Sequence, residues 1–443
     1  MIPEGFRTAL NQIRETSIES DTLYAKYVDQ ILPDSDITSW ASPILTNPQI
    51  MNEFFNVLVQ RIIYTQIDVK LFNNPLAILD GDTMPLGSIG QEIAVNPIKS
   101  RKFNVDDFAG LLARYEADIK VQYMHLNSDL QYPVTITRAK IVDAFTSWEK
   151  LGAFVDSITN ALFNGAYIDR FNMTKGLVSS AYEGNNVQIK TVTAVSSEAT
   201  AKAFVKEARN LYKLFRFPST KYNAWAKVGG YGRELLTWCN PEDIVFLIRA
   251  DVSTELDVDV LANAFNIDKT SLMGRIIDVD NFDVYDGDVK VIDGSNIVGI
   301  MADKRWFRIK TREMTMDEFY NANNRTWQFY LNDVRMYQYS LFANAVVFAT
   351  EMPVVEATDV DFVNKATFEI NQGEKRREKI TLSPNNATTS TTFTSSDPNV
   401  IKVTKISDTE VELEGVSANT NLVTITATNN GHTDTIQGKC VTE

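Results

Sequence analysis

Residues 143–172, DAFTSWEKLGAFVDSITNALFNGAYIDRFN, contain the longest helical pattern in the chain. Large apolar side chains recur in it at steps of three and four residues, which is the spacing of one helix face. These side chains are Phe145, Trp148, Leu151, Val155, Ile158, Leu162 and Phe163. Asp143 stands at the start and is a residue type that caps helices. Such a helix would be roughly 40 Å long at 1.5 Å per residue, so we predict that it forms a structural spine.

Composition excludes several protein classes. The chain has 443 residues, 44% hydrophobic and 23% charged, which suits roughly two to four globular domains. It lacks an apolar run of about 18 residues, so we expect no transmembrane helix, and its start lacks the features of a secretory signal. Two cysteines exclude a disulfide framework and favour folding in the cytosol. Two histidines are few for a zinc enzyme or a Ser-His-Asp hydrolase, and a net charge of −14 argues against a dedicated DNA-binding protein.

The composition changes near residue 356. Every Trp and Tyr lies before this point, and the remaining sequence is rich in Thr, Ser, Asn and Val. Short apolar stretches alternate there with turn clusters. The stretches are Ala366 to Ile370, Ile380 to Leu382, Val400 to Val403, Val411 to Leu413 and Leu422 to Ala427. This spacing predicts a separate small β-sandwich.

The region before residue 356 mixes helical and extended patterns. Residues 1–62 are predicted to be mostly helical, and 63–110 to be an extended excursion that has too few apolar side chains to bury itself and should lie against something else. A second helix is predicted at 198–215, before Pro218. A helix start is predicted at 261–265. Strands are predicted at 244–248, 276–279, 289–292, 297–301 and 342–349.

Motifs for catalysis are missing or weak. The sequence contains neither a phosphate-binding loop nor a Gly-x-Ser-x-Gly elbow. Gly229-Gly230-Tyr231-Gly232 does not open a helix, so a flexible loop is favoured over a nucleotide site. The densest acidic cluster consists of Asp278, Asp280, Asp283, Asp286 and Asp288. Its oxygens suit calcium, but Phe282 at position 5 breaks the EF-hand pattern. A solvated acidic turn is therefore favoured, and cation binding stays open.

The remaining candidates favour structural interpretations. Three acidic residues, Glu255, Asp257 and Asp259, alternate with apolar residues. This alternation is typical of a half-exposed extended segment. His125 has no obvious partner, and Cys239 is predicted to be buried and inert. The mixed-charge run at 374–379 is interpreted as a solvated loop. We therefore predict no catalytic residues, no cofactor-binding residues and no metal ligands, and we favour an assembly subunit over an enzyme.

Five segments stand in one order along residues 50–350. They are NNPL (73–76) with MPLG (84–87), AFTSW (144–148) through Asn160-Ala161, ADV (250–252) through Ala264-Phe265-Asn266, DKRWF (303–307) and FANAV (342–346). Together they resemble the major capsid proteins of small podophages of the phi29 type. The resemblance implies an α+β chain with the HK97-type capsid fold.

The resemblance also implies a division of the chain. It assigns residues 1–62 to an N-terminal arm and residues 63–120 to an extended loop (E-loop) that lies on the neighbouring subunit. Residues 121–215 would form a peripheral domain that contains the spine helix 143–172, and residues 331–355 would return to it. Residues 216–330 would form an axial domain, around which five or six copies meet. The predicted strand at 342–349 would share that peripheral domain with the spine helix.

The tail resembles bacterial Ig-like group 2 (BIG2) domains. The matching residues are Leu382-Ser383-Pro384 with Asn386-Ala387-Thr388, Thr394 to Val400, Gly415 to Ala418 and Val423 to Ala427. This resemblance implies that residues 357–443 form an all-β Ig-like sandwich. Phe393 stands where the family usually has Trp and would still supply an aromatic core residue.

The implied function is that of a major capsid protein, which self-assembles into the icosahedral head shell around the double-stranded DNA of a tailed phage. The implied protein partners are other copies of the chain in pentamers and hexamers, a scaffolding protein, and the portal or connector. The shell would also contact DNA without sequence specificity, and the Ig-like domain would contact a host surface. No membrane is implied. The shell would assemble in the host cytoplasm and reside in the virion. The acidic balance implies little direct DNA affinity. The alternatives are a head decoration or fibre protein, and a bacterial surface adhesin.

Overall fold

The structure is a computed structural model that describes residues 4–19, 22–64, 72–85, 90–100, 116–229, 234–254, 276–286, 289–419 and 421–442. Helices and strands both contribute, which confirms the predicted α+β class. Contacts divide the chain into two units. The first comprises Met1–Gly90, Met124–Thr174 and Ile309–Tyr337, and the second comprises Gln91–Tyr123, Lys175–Arg308 and Gln338–Glu443.

The described residues contain nine α-helices. They are α1 (Glu4–Glu19), α2 (Leu23–Tyr27), α3 (Ile37–Thr46), α4 (Pro48–Tyr64), α5 (Arg138–Ala144), α6 (Trp148–Glu183), α7 (Glu198–Leu214), α8 (Trp225–Val228) and α9 (Ala250–Thr254). Short 3-10 helices occupy Pro75–Leu79, Pro241–Asp243 and Lys304–Trp306. Helix α7 confirms the helix predicted at 198–215. The helix start predicted at 261–265 lies outside the described residues.

The predicted spine is α6, but its bounds differ from the prediction. Asp143 belongs to α5, and a turn after it separates the two helices. Ser147 caps α6 instead, because its Oγ accepts the backbone N–H of Lys150 (3.2 Å). The apolar spacing could not reveal this break, since Phe145 is buried in the same core as the helix.

Helix α6 also continues eleven residues beyond the predicted end at residue 172 and reaches Glu183. Leu177, Val178 and Ala181 are buried, so an apolar face persists there. Small and polar residues at positions 172–176 dilute the apolar pattern, which is why the sequence placed the end too early.

The N-terminal helices pack into the core of the first unit. Tyr24, Trp40, Phe54 and Phe55 are buried together with residues of α6, and the Phe54 and Phe145 rings lie 5.8 Å apart. Over its described residues, the segment predicted as an N-terminal arm is therefore a packed set of helices.

A three-stranded sheet completes the first unit. Its order is β10-β11-β3, with β3 (Ser128–Thr137), β10 (Phe307–Asn321) and β11 (Thr326–Tyr339). Strand β11 pairs antiparallel with β3 along ten residue pairs. The domain boundary predicted at residue 330 is wrong in one respect, because it falls inside β11 and would cut a continuous hairpin. Mixed polar and apolar residues on both strands hid this hairpin from sequence analysis.

A five-stranded sheet forms the core of the second unit. Its order is β4-β12-β9-β5-β6, with β4 (Gln188–Thr191), β5 (Ile244–Arg249), β6 (Ile276–Val279), β9 (Ile297–Asp303) and β12 (Ala345–Ala349). Helix α7 covers one face, where Phe204 lies 5.2 Å from Phe348, ring to ring.

The strand predicted at 342–349 begins later than predicted. It begins at Ala345 and pairs with β9 and β4 inside this sheet. It lies in the second unit, which also contains the last residues of the spine helix, from Lys175 to Glu183. All five residues of β12 are buried, which is typical of a strand covered on both faces.

The tail forms two four-stranded sheets around one core. Their orders are β13-β15-β18-β17 and β14-β20-β19-β16. The strands are β13 (Asp359–Phe362), β14 (Phe368–Asn371), β15 (Lys375–Ser383), β16 (Thr392–Ser395), β17 (Ile401–Ser407), β18 (Glu410–Gly415), β19 (Val423–Asn429) and β20 (His432–Val441). Leu413, Ile425 and Ile436 are buried in the shared core, as expected for a β-sandwich.

The mixed-charge run at 374–379 was interpreted as a solvated loop, and this interpretation is wrong. Residues 375–379 belong to β15, where Lys375, Arg377 and Lys379 lie opposite the glutamates of β18. Opposite charges on neighbouring strands stabilise such a pair. The strand signal was the recurrence of a cation at every second position, 375, 377 and 379.

Two two-stranded ribbons remain in the second unit. One pairs β1 (Gly90–Val95) with β2 (Ile119–Met124), and the other pairs β7 (Val284–Asp286) with β8 (Val289–Ile292). Much of the predicted excursion at 63–110 lies outside the described residues. Among the residues that are described, no helix is both long enough and apolar enough to span a membrane.

Candidate assembly surfaces

The ribbon formed by β1 and β2, called the ribbon below, carries an exposed apolar surface. Five large apolar side chains on or next to it are more than half exposed to solvent. They are Ile93 (57%), Val95 (52%), Ile98 (75%), Ile119 (56%) and Tyr123 (69%). Apolar side chains concentrated on one exposed element are typical of a protein contact surface.

Asn96 fixes the end of the ribbon. Its backbone N–H donates to the Asp118 carbonyl (3.0 Å). In an antiparallel ribbon, pairing of Asn96 with Asp118 places the next residues, Val95 and Ile119, opposite each other. Its Nδ2 donates to the Asp118 carboxylate (2.6 Å) and to the Glu234 carbonyl (2.8 Å). Its Oδ1 accepts the Leu236 N–H (2.9 Å). Hydrogen bonds from Lys120 and Asn96 hold the pKa of Asp118 below its usual value.

Gln122 fixes the second strand. Its Nε2 donates to the Tyr339 carbonyl (2.8 Å), and its Oε1 accepts the Leu341 N–H (2.8 Å). On the first strand, Glu92 forms an ion pair with Arg308. Polar side chains therefore hold the ribbon in place while its large apolar side chains stay exposed.

A cleft of about 290 Å³ adjoins β1. Charged side chains line it in pairs, Glu92 with Arg308 and Asp303 with Arg305 (2.7 Å). Among the described residues that line the cleft, no nucleophile and base converge. One of these pairs, Glu92 with Arg308, also holds β1 in place.

An asparagine junction, formed by Asn185, Asn186 and Asn386, joins the sandwich to the end of α6. Asn185 has φ of 48°, and the Asn186 N–H reaches back to the Ala181 carbonyl (2.8 Å), which closes the helix end. The Asn185 Nδ2 donates to the Asn386 carbonyl (2.7 Å), and the Asn386 Nδ2 donates to Asn186 Oδ1 (2.8 Å). The tail is thus docked through amide hydrogen bonds.

Lys227 lies beside the asparagine junction. Its Nζ donates to Asn185 Oδ1 (2.7 Å) and to the Val187 carbonyl (2.9 Å). Burial lowers the pKa of Lys227 to about 8, because the charged form loses water that two neutral acceptors replace only in part.

The structure separates the predicted acidic cluster. Asp280 pairs with Lys175 (2.8 Å), and Asp283 pairs with Lys290 (2.9 Å) and accepts the Gly294 N–H (2.8 Å). Asp278 and Asp286 are exposed, and Asp288 lies outside the described residues. Within the described part of the chain, no three carboxylate, thiol or imidazole groups converge as a metal site.

The other candidates have separate places. His125 is exposed. Cys239 is buried, as predicted, and burial raises the pKa of its thiol. Gly229 follows α8, and the rest of that glycine-rich stretch lies outside the described residues, as does the acidic group at 255–259.

The sequence did not indicate an anchoring or docking role for Asn96, Gln122 or Asn386. Asparagine is common in turns for local reasons, so its presence gave no distinctive signal. The partners of these amides lie 138, 217 and 202 residues away along the chain. The only local hints were amide residues at strand ends and in a turn.

The chain is similar to known phage capsid proteins. A family model described as Phi29-like phage major capsid protein matches residues 10–349, and the match ends where β12 ends. The major capsid protein of Bacillus phage B103 is 27% identical over 83% of this chain and 78% of its own length. That of Streptococcus phage Cp-1 is 31% identical over 66% of this chain and 81% of its own length.

A solved structure also aligns with the chain. The capsid structure of Staphylococcus phage Andhra gives a TM-score of 0.51 at 13% identity, over 64% of this chain and 86% of that chain. At this identity the likeness shows a shared fold, that of a phage capsid protein.

Proposed function

Because the chain belongs to the Phi29-like phage major capsid protein family, we propose that its copies build the head shell by laying the ribbon of one copy against the body of the next. Major capsid proteins form the virion capsid, so a shell of many copies is the assembly in which this chain acts. Membership of a capsid family implies a structural role.

The exposed apolar surface of the ribbon carries the proposal. Burying one Ile or Val side chain contributes about 1.5–3 kcal/mol, so Ile93, Val95 and Ile119 together supply a useful contact. The anchors at Asn96 and Gln122 hold the strands before a neighbour arrives, which lowers the ordering cost of the contact. Many moderate contacts of this kind close a symmetric shell.

The remaining roles follow the same proposal. Residues 63–120 act as the extended loop, and copies meet as pentamers and hexamers of an icosahedral shell. A scaffolding protein and a portal take part in assembly, and the shell encloses double-stranded DNA without reading its sequence. The tail is an Ig-like domain that contacts a host surface. The chain performs no catalysis, uses no cofactor and acts without a membrane.

Placing charges on the ribbon tests the proposal. In the variant Ile93→Asp with Val95→Asp, each carboxylate opposes burial, so shell yield should fall more than tenfold, since about 1.4 kcal/mol already corresponds to a factor of ten. Shells would be counted by negative-stain electron microscopy after co-expression with the scaffolding protein. Circular dichroism should show an unchanged fold, because both side chains are exposed.

Leu422→Asp is the matched control. Leu422 is 51% exposed and lies outside the residues that the family model matches, so this variant should form shells normally. Shells at the wild-type yield from the ribbon variant would show that the ribbon is not a contact between copies.

A further inference from the structure

Helix α7 and the residues after it carry a stripe of positive charge on an acidic protein. The stripe consists of Lys206, Arg209, Lys213 and Arg216, all exposed. At 3.6 residues per turn, these positions fall within about 80° of the helix circumference and span about 15 Å along its axis. The opposite face of α7 is buried, with Phe204, Ala208 and Leu211 in the core of the second unit. The stripe therefore points away from that core.

The four cations of the stripe have no acidic partner among the described residues. No carboxylate of the described chain lies within 4.0 Å of them, whereas the acids of α7 are occupied elsewhere. Glu198 pairs with Lys202 (2.5 Å), and Glu207 pairs with Lys190. By contrast, Lys375 and Arg377, two exposed cations of the tail, stand opposite glutamates. The chain as a whole carries a net charge of −14, so this local excess runs against its overall composition.

Neither the helix dipole nor a contact between copies accounts for the whole stripe. Cations near a helix C-terminus stabilise the helix dipole, which explains Lys213 and Arg216 but leaves Lys206 and Arg209 a turn or more further back. A contact between copies would favour aromatic and apolar side chains together with arginine, so it could use Arg209 and Arg216. Lysine is depleted in such interfaces, which leaves Lys206 and Lys213 unexplained. Double-stranded DNA carries one phosphate per about 3.4 Å along each strand, so a row of cations about 15 Å long can reach several phosphates.

We propose that Lys206, Arg209, Lys213 and Arg216 form a phosphate-binding stripe that contacts double-stranded DNA without reading its sequence. This inference rests on the proposed enclosure of DNA by the shell. One copy supplies at most four phosphate contacts, so binding by a single copy is weak and strongly dependent on salt. In a shell, many stripes bind the DNA at the same time. The DNA is therefore held by many weak contacts and can still be released.

The test compares two variants of equal net charge. The stripe variant is K206Q/R209Q/K213Q/R216Q. The control, K365Q/K375Q/R377Q/K405Q, removes four exposed cations that have carboxylate partners. Binding of a labelled 30-base-pair duplex to unassembled full-length protein would be followed by fluorescence anisotropy between 50 and 200 mM salt. Four phosphate contacts predict a wild-type affinity loss on the order of 100-fold over that range, at a slope of about 0.9 per contact.

The stripe variant should bind more weakly at 50 mM salt and lose about 0.9 of slope for each contact removed, while the control keeps the wild-type slope. An unchanged slope in the stripe variant would overturn the proposal. Electron microscopy of shells separates this result from the proposed function. Normal DNA binding combined with lost shell formation would mean that the stripe meets an acidic surface of another copy, which also overturns the proposal.

Discussion

Asp333 lies between two arginines in the first unit. Its carboxylate accepts from Arg170 Nε (2.8 Å) and from Arg335 Nε (3.0 Å), and all three side chains are at least nine-tenths buried. Arg335 also reaches the Asp80 carboxylate (3.3 Å). In such a network the two carboxylates compensate the two buried cations, and removal of either acid leaves positive charge in a poorly solvated place.

Asp333→Asn should therefore destabilise the protein by about 3–5 kcal/mol. At about 2–4 °C per kcal/mol for units of this size, the midpoint of thermal unfolding should fall by several degrees or more, measured by circular dichroism on unassembled protein. Asp129→Asn, at an exposed position of β3 opposite Val334, should stay within about 0.5 kcal/mol of wild type. Equal midpoints for the two variants would mean that the buried network adds nothing.

Lys227 makes the free energy of unfolding rise with pH above about pH 8. Burial holds its pKa at about 8, against 10.5 for the ordinary side chain. Below pH 8 both folded and unfolded chains carry the proton, so the burial cost is constant there. Between about pH 8 and 10.5 the unfolded chain binds more protons than the folded chain, so the free energy of unfolding rises with pH.

Lys227→Met should remove this rise. From pH 7.5 to 9.5 the free energy of unfolding of the wild type should increase relative to the variant by about 2 kcal/mol, measured by urea unfolding across that range. Lys221→Met replaces an exposed lysine six residues away and should follow the wild-type profile. A parallel profile for Lys227→Met would show that the ammonium group is as well solvated in the folded chain as in the unfolded one.

At the scale of elements, continuous apolar runs were the most reliable signal. Strand β5 begins where the run from Ile244 predicts and extends one residue further, and β9 begins at the predicted Ile297 and extends two residues beyond the predicted end. A strand buried on both faces shows no alternation of apolar and polar residues. Its short length and its run of apolar side chains are enough to identify it. Helix α7 was equally clear, because one apolar face and a following Pro218 define both its type and its end.

The elements that were missed carry polar residues on one face. Strand β20, ten residues from His432 to Val441, holds only scattered apolar side chains, since every second residue faces solvent. The hairpin of β10 and β11 is long, and its pairing with β3 joins residues nearly 200 positions apart along the chain. Local sequence cannot encode such a pairing, which depends on what the other face of the strand meets.

The candidate assembly surfaces were predictable only in outline. The sequence showed that residues 63–110 cannot bury themselves, and the exposed side chains of the ribbon agree with that reasoning over its described part. The anchors at Asn96 and Gln122 depend on carbonyl and amide groups of distant loops. The stripe on α7 was not among the predicted features, since its lack of acidic partners is a property of the folded chain.

At the scale of the whole molecule, the tail folds around a core of its own. Its buried side chains, among them Leu413, Ile425 and Ile436, pack with one another in a cluster that contains only residues after 356. Its links to the rest of the second unit include the asparagine junction, the hydrogen bond from Asn385 Nδ2 to the Val228 carbonyl (3.2 Å) and the linker, where Thr388 donates to the Pro353 carbonyl (2.9 Å). The family match ends at residue 349, before the tail begins.

Deleting residues 357–443 should therefore leave a chain that folds and forms shells of normal diameter and yield, as seen by negative-stain electron microscopy. The deletion exposes Asn185 and Asn186 to water, which replaces the lost hydrogen bonds at a net cost of only about 1 kcal/mol each. Asn386→Ala in the full-length chain is the matched control, because it removes side-chain contacts of the junction and retains the tail. Normal shells from this control and none from the deletion would make the tail itself an element of assembly, since loss of the Asn386 side-chain contacts could not then explain the result.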